Sequence, residues 1–146
     1  LAANAERRLE SLKAFLRIQS ISALPEHAAD CRAAAEWVAT DLRASGIEHV
    51  EVSETGGHPV VYGEWLGAPG KPTILYYGHY DVQPVDPVEL WTTPPFEATV
   101  RDGEIFARGA ADDKGQVMTF VEACRAWKAV TGELPETLAR ALLGRL

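Results

Sequence analysis

The 146 residues, 47% hydrophobic and 24% charged, suit one soluble globular domain large enough to build its own core. A formal net charge of −7 opposes a nucleic-acid surface, which needs clustered Lys and Arg, yet leaves cation binding open. No apolar run approaches the roughly 18 residues that a membrane span requires, and the opening LAANAERRLESL lacks the apolar core of a signal peptide.

Leu9, Leu12, Phe15, Leu16 and Ile18 recur at helical spacing, which predicts an amphipathic helix from about Ala5 to Ile18. A polar loop, SISALPEH, follows. Ala28 to Ala44 reads as a second helix with Trp37, Val38 and Leu42 on one face, ended by Ser45-Gly46. HVEVSET and PVVYGEWL alternate as short strands around Gly56-Gly57, a hairpin pattern. TILYYG is nearly continuous apolar sequence and predicts a central strand covered on both faces. Asp102-Gly103 between two alternating runs signals a second hairpin. From Lys114 to about Val130 the period returns to helix, with Val117, Phe120, Val121, Cys124 and Trp127 as its apolar stripe. Beyond Pro135, Leu138, Leu142 and Leu146 fall at i, i+4 and i+8, so residues 136–146 are predicted as an amphipathic helix. The alternation of helices and strands implies an α/β fold, a mixed sheet flanked by helices. Cys31 and Cys124 fall within predicted helices and read as buried free thiols, with the cytoplasm as the default compartment.

Two stretches carry candidate chemistry. In GHYDVQP, His79 stands at the carboxyl end of a predicted strand, where open α/β sheets bind ligands. Asp81, two residues on, reaches the same side if the chain stays extended, and a metal-bound His usually gives its second N–H to a carboxylate. Taken alone, His-x-Asp is a weak signal and reads first as a satisfied surface or core histidine. In RGAADDKG, Asp112 and Asp113 immediately precede the third helix. They read either as helix caps or as carboxylates leaning off the helix start to bridge cations. Gly109 and Gly115 permit tight backbone geometry there, and Lys114 is expected to offset the local charge or face solvent. Arg108 is expected to pair with a nearby carboxylate, and Trp91, Pro94, Pro95 and Phe96 to form a packed loop. His27, His49 and His58 are expected at the surface.

Together GHYDVQP, the W..PPF segment and DGEIFARGAADDKG, in this order, resemble the cocatalytic-zinc metallopeptidases. That family includes carnosinase-like dipeptidases, glutamate carboxypeptidase, aminoacylase and succinyl-diaminopimelate desuccinylase. The resemblance spans roughly Leu9 to Pro135, and GHYDVQP and LWTTPPFEA look most like the dipeptidase and carnosinase branch. It implies a zinc-peptidase-like domain, with His79 as a ligand of one metal, Asp81 as its orienting partner and Asp112 as the bridge between two metals. Asp113, joined to Asp112 by a peptide bond that is often cis in relatives, would be a supporting residue. It further implies zinc, sometimes manganese, and a small peptide or N-acyl amino acid as substrate, hydrolysed by metal-bound water with a glutamate accepting the proton.

The sequence departs from that pattern after TGELP, where relatives carry a strand ending in a Glu-Glu pair. Glu122, Glu133 and Glu136 are the only glutamates after Gly115, none adjacent to another, and His79 is the last histidine. The general-base glutamate is therefore not found. Residues 1–135 are expected to be the N-terminal part of a truncated catalytic domain, joined at Pro135–Glu136 to a helix resembling the family C-terminus, with the lid or dimerisation domain absent. Opening on Leu1 rather than Met also points to a trimmed or partial chain. One expectation is a metal-dependent hydrolase holding at most one zinc weakly. The alternative is a catalytically inactive scaffold or interaction module, whose uncovered sheet edge favours self-association.

Overall fold

A computed structural model describes residues 4–135 and 137–143. Helix α1 spans Ala5–Leu16 and α2 spans Ala28–Ala44, led in by a short 3-10 turn whose Pro25 suits a helix start. Strands β1 (Glu48–Ser53), β2 (Val60–Trp65) and β3 (Thr73–Gly78) follow. A small hairpin, β4 (Thr99–Arg101) with β5 (Glu104–Phe106), precedes α3 (Lys114–Thr131) and β6 (Thr137–Leu143). Among the described residues no helix is long and apolar enough to cross a membrane.

Both predicted hairpins form. β1 pairs antiparallel with β2, and β4 with β5. The second turns at Asp102 (φ 53) and Gly103 (φ 83), two consecutive left-handed residues. A tight hairpin needs that twist, and the Asp-Gly dipeptide supplies it with little strain.

The main sheet has the order β1-β2-β6-β3. Helices pack on one face. Phe15 stacks on Trp37 with centroids 4.5 Å apart, and Tyr76 of β3 stacks on Phe120 of α3 at 3.8 Å; pairs of this kind contribute about 0.5–1.5 kcal/mol beyond their area burial. Val38, Leu42, Val61, Trp65, Val117 and Val121 complete the core between helices and sheet. α1 is tied to α3 at the surface by Arg7, which donates to Glu122, and Arg125 links Glu122 to Asp41 of α2. Cys31 and Cys124 are buried free thiols, as expected.

Two expectations fail, for related reasons. The segment after Pro135 is not an amphipathic helix: Thr137–Leu143 is a strand, while Glu136 and residues 144–146 lie outside the described residues. β6 lies between two strands, antiparallel to β2 over Leu138–Leu143 and parallel to β3 over Thr137–Leu142. Ala, Leu and Arg favour helix by only a few tenths of a kcal/mol per residue. A central strand satisfies N–H and C=O groups on two neighbours at once, and that outweighs local preference. β3, in turn, is not a central strand covered on both faces. Among the described residues it is the sheet edge, and Leu75 and Tyr77 are 70% and 60% exposed. Apolar content alone does not tell a doubly covered strand from one with an open face.

Candidate functional site

β3 ends at Gly78, and the next residues turn the chain across the end of the sheet beside the segment that follows α1. Ile21 and Val82 form a parallel bridge, and the Val82 N–H donates to the Ser20 carbonyl at 2.9 Å. Ser20 Oγ donates to the Tyr80 carbonyl at 2.7 Å, and Ser22 donates to Asp81 Oδ2. Tyr80, fully buried, anchors the other side through its hydroxyl bond to the Pro59 carbonyl. Asp81, only 4% exposed, is therefore held as a buried carboxylate. Burial raises its pKa, but hydrogen bonds from His79 and Ser22 outweigh burial and leave it lowered.

That carboxylate faces His79. Nδ1 of His79 lies 3.1 Å from Asp81 Oδ1 and 3.1 Å from the Asp81 carbonyl, while Nε2 lies 3.0 Å from Asp112 Oδ1. Chiefly through the hydrogen bond to Asp81, and against burial, the imidazole pKa is pushed up to about 9. The ring is thus bracketed by two carboxylates. Asp81 fixes its orientation from the buried side, and Asp112, with a side chain 82% exposed, meets it from solvent. Tyr77, Gln83 and Arg108 help line a cleft of about 260 Å³ around the pair.

The capping reading of the aspartates does not hold. Asp113 occupies the N-cap position of α3, but its side chain makes no capping bond. Its Oδ2 instead accepts the His79 backbone N–H at 3.0 Å, tying the end of β3 to the start of α3. The Asp112–Asp113 peptide is cis, as the resemblance implied. Gly115 allows the loop to sit against α3, because a Cβ there would lie 2.1 Å from the Ala110 carbonyl oxygen. Gly115→Ala is therefore expected to cost about 1–3 kcal/mol through forced backbone movement, and to loosen the loop that presents Asp112. Urea unfolding checks the first part; an unchanged midpoint would show that the loop yields freely.

Two neighbouring residues differ from expectation. Lys114 neither faces solvent nor offsets the aspartates. It is fully buried, donating from Nζ to the Phe15 and Ile18 carbonyls at 3.1 and 2.7 Å, with burial pulling its pKa down to about 7. Each of these carbonyls, in the last turn of α1 and just past it, also accepts a backbone N–H, from Ile18 and from Ser20, and the long cation adds a second donor to each. Arg108 pairs with no carboxylate among the described residues: it donates to the Pro84 carbonyl at 2.9 Å and lies over the Trp91 ring at 5.1 Å. Of the other histidines, His49 is exposed, while His27 and His58 are half-buried, His27 beside Asp30 and His58 beside the Ser22 carbonyl.

The donor set tests the fit of a metal. Two donors of a tetrahedral zinc lie roughly 3.4 Å apart from its ordinary bond lengths, and the His79–Asp112 separation of 3.0 Å needs only a small opening on the exposed aspartate. Asp81 behind His79 is the usual support of a metal-bound imidazole. Among the described residues, however, no group of three or more His, Cys, Asp and Glu converges. The site fits one side of a metal centre.

Residues 75–142 match the model of peptidase family M20/M25/M40, and these include His79, Asp81, Asp112 and Asp113. The chain belongs to this family. A cysteinylglycine-S-conjugate dipeptidase of Corynebacterium striatum is 36% identical over 125 residues, covering 86% of this chain and 28% of the relative. Human carnosine dipeptidase 1 superposes with a TM-score of 0.90 at 29% identity, over 98% of this chain and 32% of the neighbour. An M20 family metallo-carboxypeptidase of Sulfolobus solfataricus superposes at 0.76 with 36% identity, over 94% and 30%. This M20 chain spans less than a third of the length of each.

The supporting residues Ser20 and Ser22 were not singled out as functional from the sequence. Their signal was present, because both lie in FLRIQSIS, where the resemblance begins. Nothing in the local pattern says that this loop reaches a carboxylate about sixty residues later.

Proposed function

We propose that this chain carries one side of the metal centre of a dipeptidase-type hydrolase, with His79 and Asp112 as ligands. Asp81 is the orienting residue of His79, and Asp113 holds the end of β3 against α3. The observation that carries this reading is the His79 ring held between Asp81 and Asp112, at 3.1 and 3.0 Å. A bound zinc, or manganese, would polarise an amide carbonyl and make its bound water acidic enough to attack at neutral pH. The chain's own part is positional. Asp81 holds the Nδ1 proton and so leaves Nε2 directed at Asp112, and these two side chains would hold the ion, Asp112 from the solvent side.

The dipeptidase names of the relatives support a small peptide or an N-acyl amino acid as substrate. We assign no proton-accepting glutamate, and with two matched ligands we expect at most one zinc, weakly held. Residues 1–135 are read as the N-terminal part of the catalytic domain. Two buried free thiols support a reducing compartment, and we place the chain in the cytoplasm. The second reading, a scaffold that hydrolyses nothing, is favoured by the want of a third converging donor among the described residues.

The test is elemental analysis after dialysis against zinc, paired with a dipeptide hydrolysis assay. One zinc per chain or less, stripped by a mild chelator and without turnover, is the expected result. Two tightly held zincs with turnover would mean that further ligands and the base are contributed from elsewhere, such as a second chain. No zinc at all would leave the inactive scaffold.

A further inference from the structure

His79 and Asp112 stand on different segments, one just past the end of β3 and one in the loop before α3. The Asp112 side chain is largely exposed, so packing does not place it; its backbone does. That backbone is a short arc, 109–112, held at both ends. At one end Asp113 accepts the His79 backbone N–H at 3.0 Å. At the other, Gly109 takes φ 82 and passes so near the His79 segment that a Cβ there would lie 2.8 Å from Val82 Cγ1. Arg108, the residue before it, donates from its side chain to the Pro84 carbonyl at 2.9 Å and from its backbone to the Pro95 carbonyl at 2.7 Å. Its guanidinium lies over Trp91, whose Nε1 donates to the neighbouring Val85 carbonyl at 2.8 Å. Gln116 also donates to the arc, at the Ala111 carbonyl, but it belongs to α3 and does not tie the arc to the His79 side.

We propose that Arg108 is a positioning residue of the metal centre, a role that rests on His79 and Asp112 being its ligands. By fastening the Asp112 loop to the chain that leaves Asp81, Arg108 fixes how far Asp112 stands from His79. All of these ties lie within residues 79–116, so they hold whatever further chain packs against the sheet. Arg108 borders both the cleft of about 260 Å³ at His79 and a second cavity of about 520 Å³ lined by Trp91 and Phe106, and no other residue borders both. Its head is therefore a wall of the metal cleft. Its Nε is buried with no hydrogen-bond partner among the described residues. An unmet donor opposes stability, and an apolar side chain of similar length would avoid it. Such a side chain could not grip the Pro84 carbonyl. A lysine, a compact point charge, could not lie flat on Trp91 while doing so.

Zinc titration of Arg108→Met tests this, together with the imidazole nitrogen resonances of His79 in the metal-free chain. Methionine keeps the stem against Trp91 and removes the donor. The expected result is a zinc affinity lower by about tenfold or more, as when other groups that orient ligands are lost, with unchanged far-ultraviolet circular dichroism. In the metal-free chain the His79 Nε2 resonance should move toward its position in Asp112→Ala. Arg108→Lys, which keeps the charge and one donor, is expected between parent and Arg108→Met, and it carries both readings should methionine unfold the chain. Unchanged zinc affinity in Arg108→Met overturns the proposal whatever happens to stability, and leaves Arg108 a structural tie alone. A parent chain that holds no zinc removes the ligand reading instead, and the resonance then decides separately. A moved resonance still shows that Arg108 sets the His79–Asp112 separation, and an unmoved one overturns it.

Discussion

Substituting His79 by alanine is expected to weaken zinc binding by about a hundredfold or more, because it removes one of the two donors proposed above. Among the described residues the side chain hydrogen-bonds to Asp81 and Asp112, while the backbone N–H that anchors β3 to Asp113 is kept. The fold should therefore survive, with an unfolding midpoint close to that of the parent. Asp81→Asn makes a useful companion. It leaves both ligands in place and removes the charge that orients the ring, so a smaller loss of roughly 10–100-fold is expected. Isothermal titration with zinc reads both. Unchanged affinity in the alanine variant would move the site away from this strand end altogether.

Lys114→Ala is expected to cost about 3–4 kcal/mol of stability. The residue is as buried as a core leucine, and its stem runs beneath Phe15 with Nζ 4.9 Å from the ring centroid. Truncation leaves a cavity of the kind that costs about 2–5 kcal/mol for long apolar side chains, and strips two carbonyls at the end of α1 of a donor. Burial of the amine offsets part of this, since desolvation already disfavours its charged form. Lys114→Met separates the contributions: it keeps most of the stem and should cost about 1–2 kcal/mol. Urea unfolding monitored by tryptophan fluorescence measures both. A loss below about 1 kcal/mol for the alanine variant would mean that α1 closes on α3 without this contact.

Much of the architecture was legible because it is local. α2 was delimited by its apolar face and by Ser45-Gly46, and the β4–β5 turn by one dipeptide. His79 and Asp81 could be paired from the spacing of an extended chain, and Asp112 joined them through the family resemblance. What escaped was tertiary. Leu138 and Leu142 have helical spacing, yet two waiting strand edges decide the conformation of that segment. Lys114 follows two aspartates in sequence, yet its partners are α1 carbonyls almost a hundred residues away. TILYYG is apolar enough for a centre strand and stands at an edge, because composition records how a strand prefers to be covered and not whether a cover exists.

The place of β6 also constrains how the molecule can be assembled. β1 and β2 can meet as soon as both have left the ribosome, but β3 has no direct pairing with either. It joins them only through a strand synthesised after α3, so that Val60 waits for Leu143 and Thr73 for Thr137. Such distant pairings are slow to form, since the intervening chain must lose freedom before any contact rewards it. During that interval β2 and β3 each offer an unpaired flank, and the nascent chain is most open to mispairing or capture by a chaperone. The two halves of the sheet become one structure only when the segment between Thr137 and Leu143 is threaded into the gap.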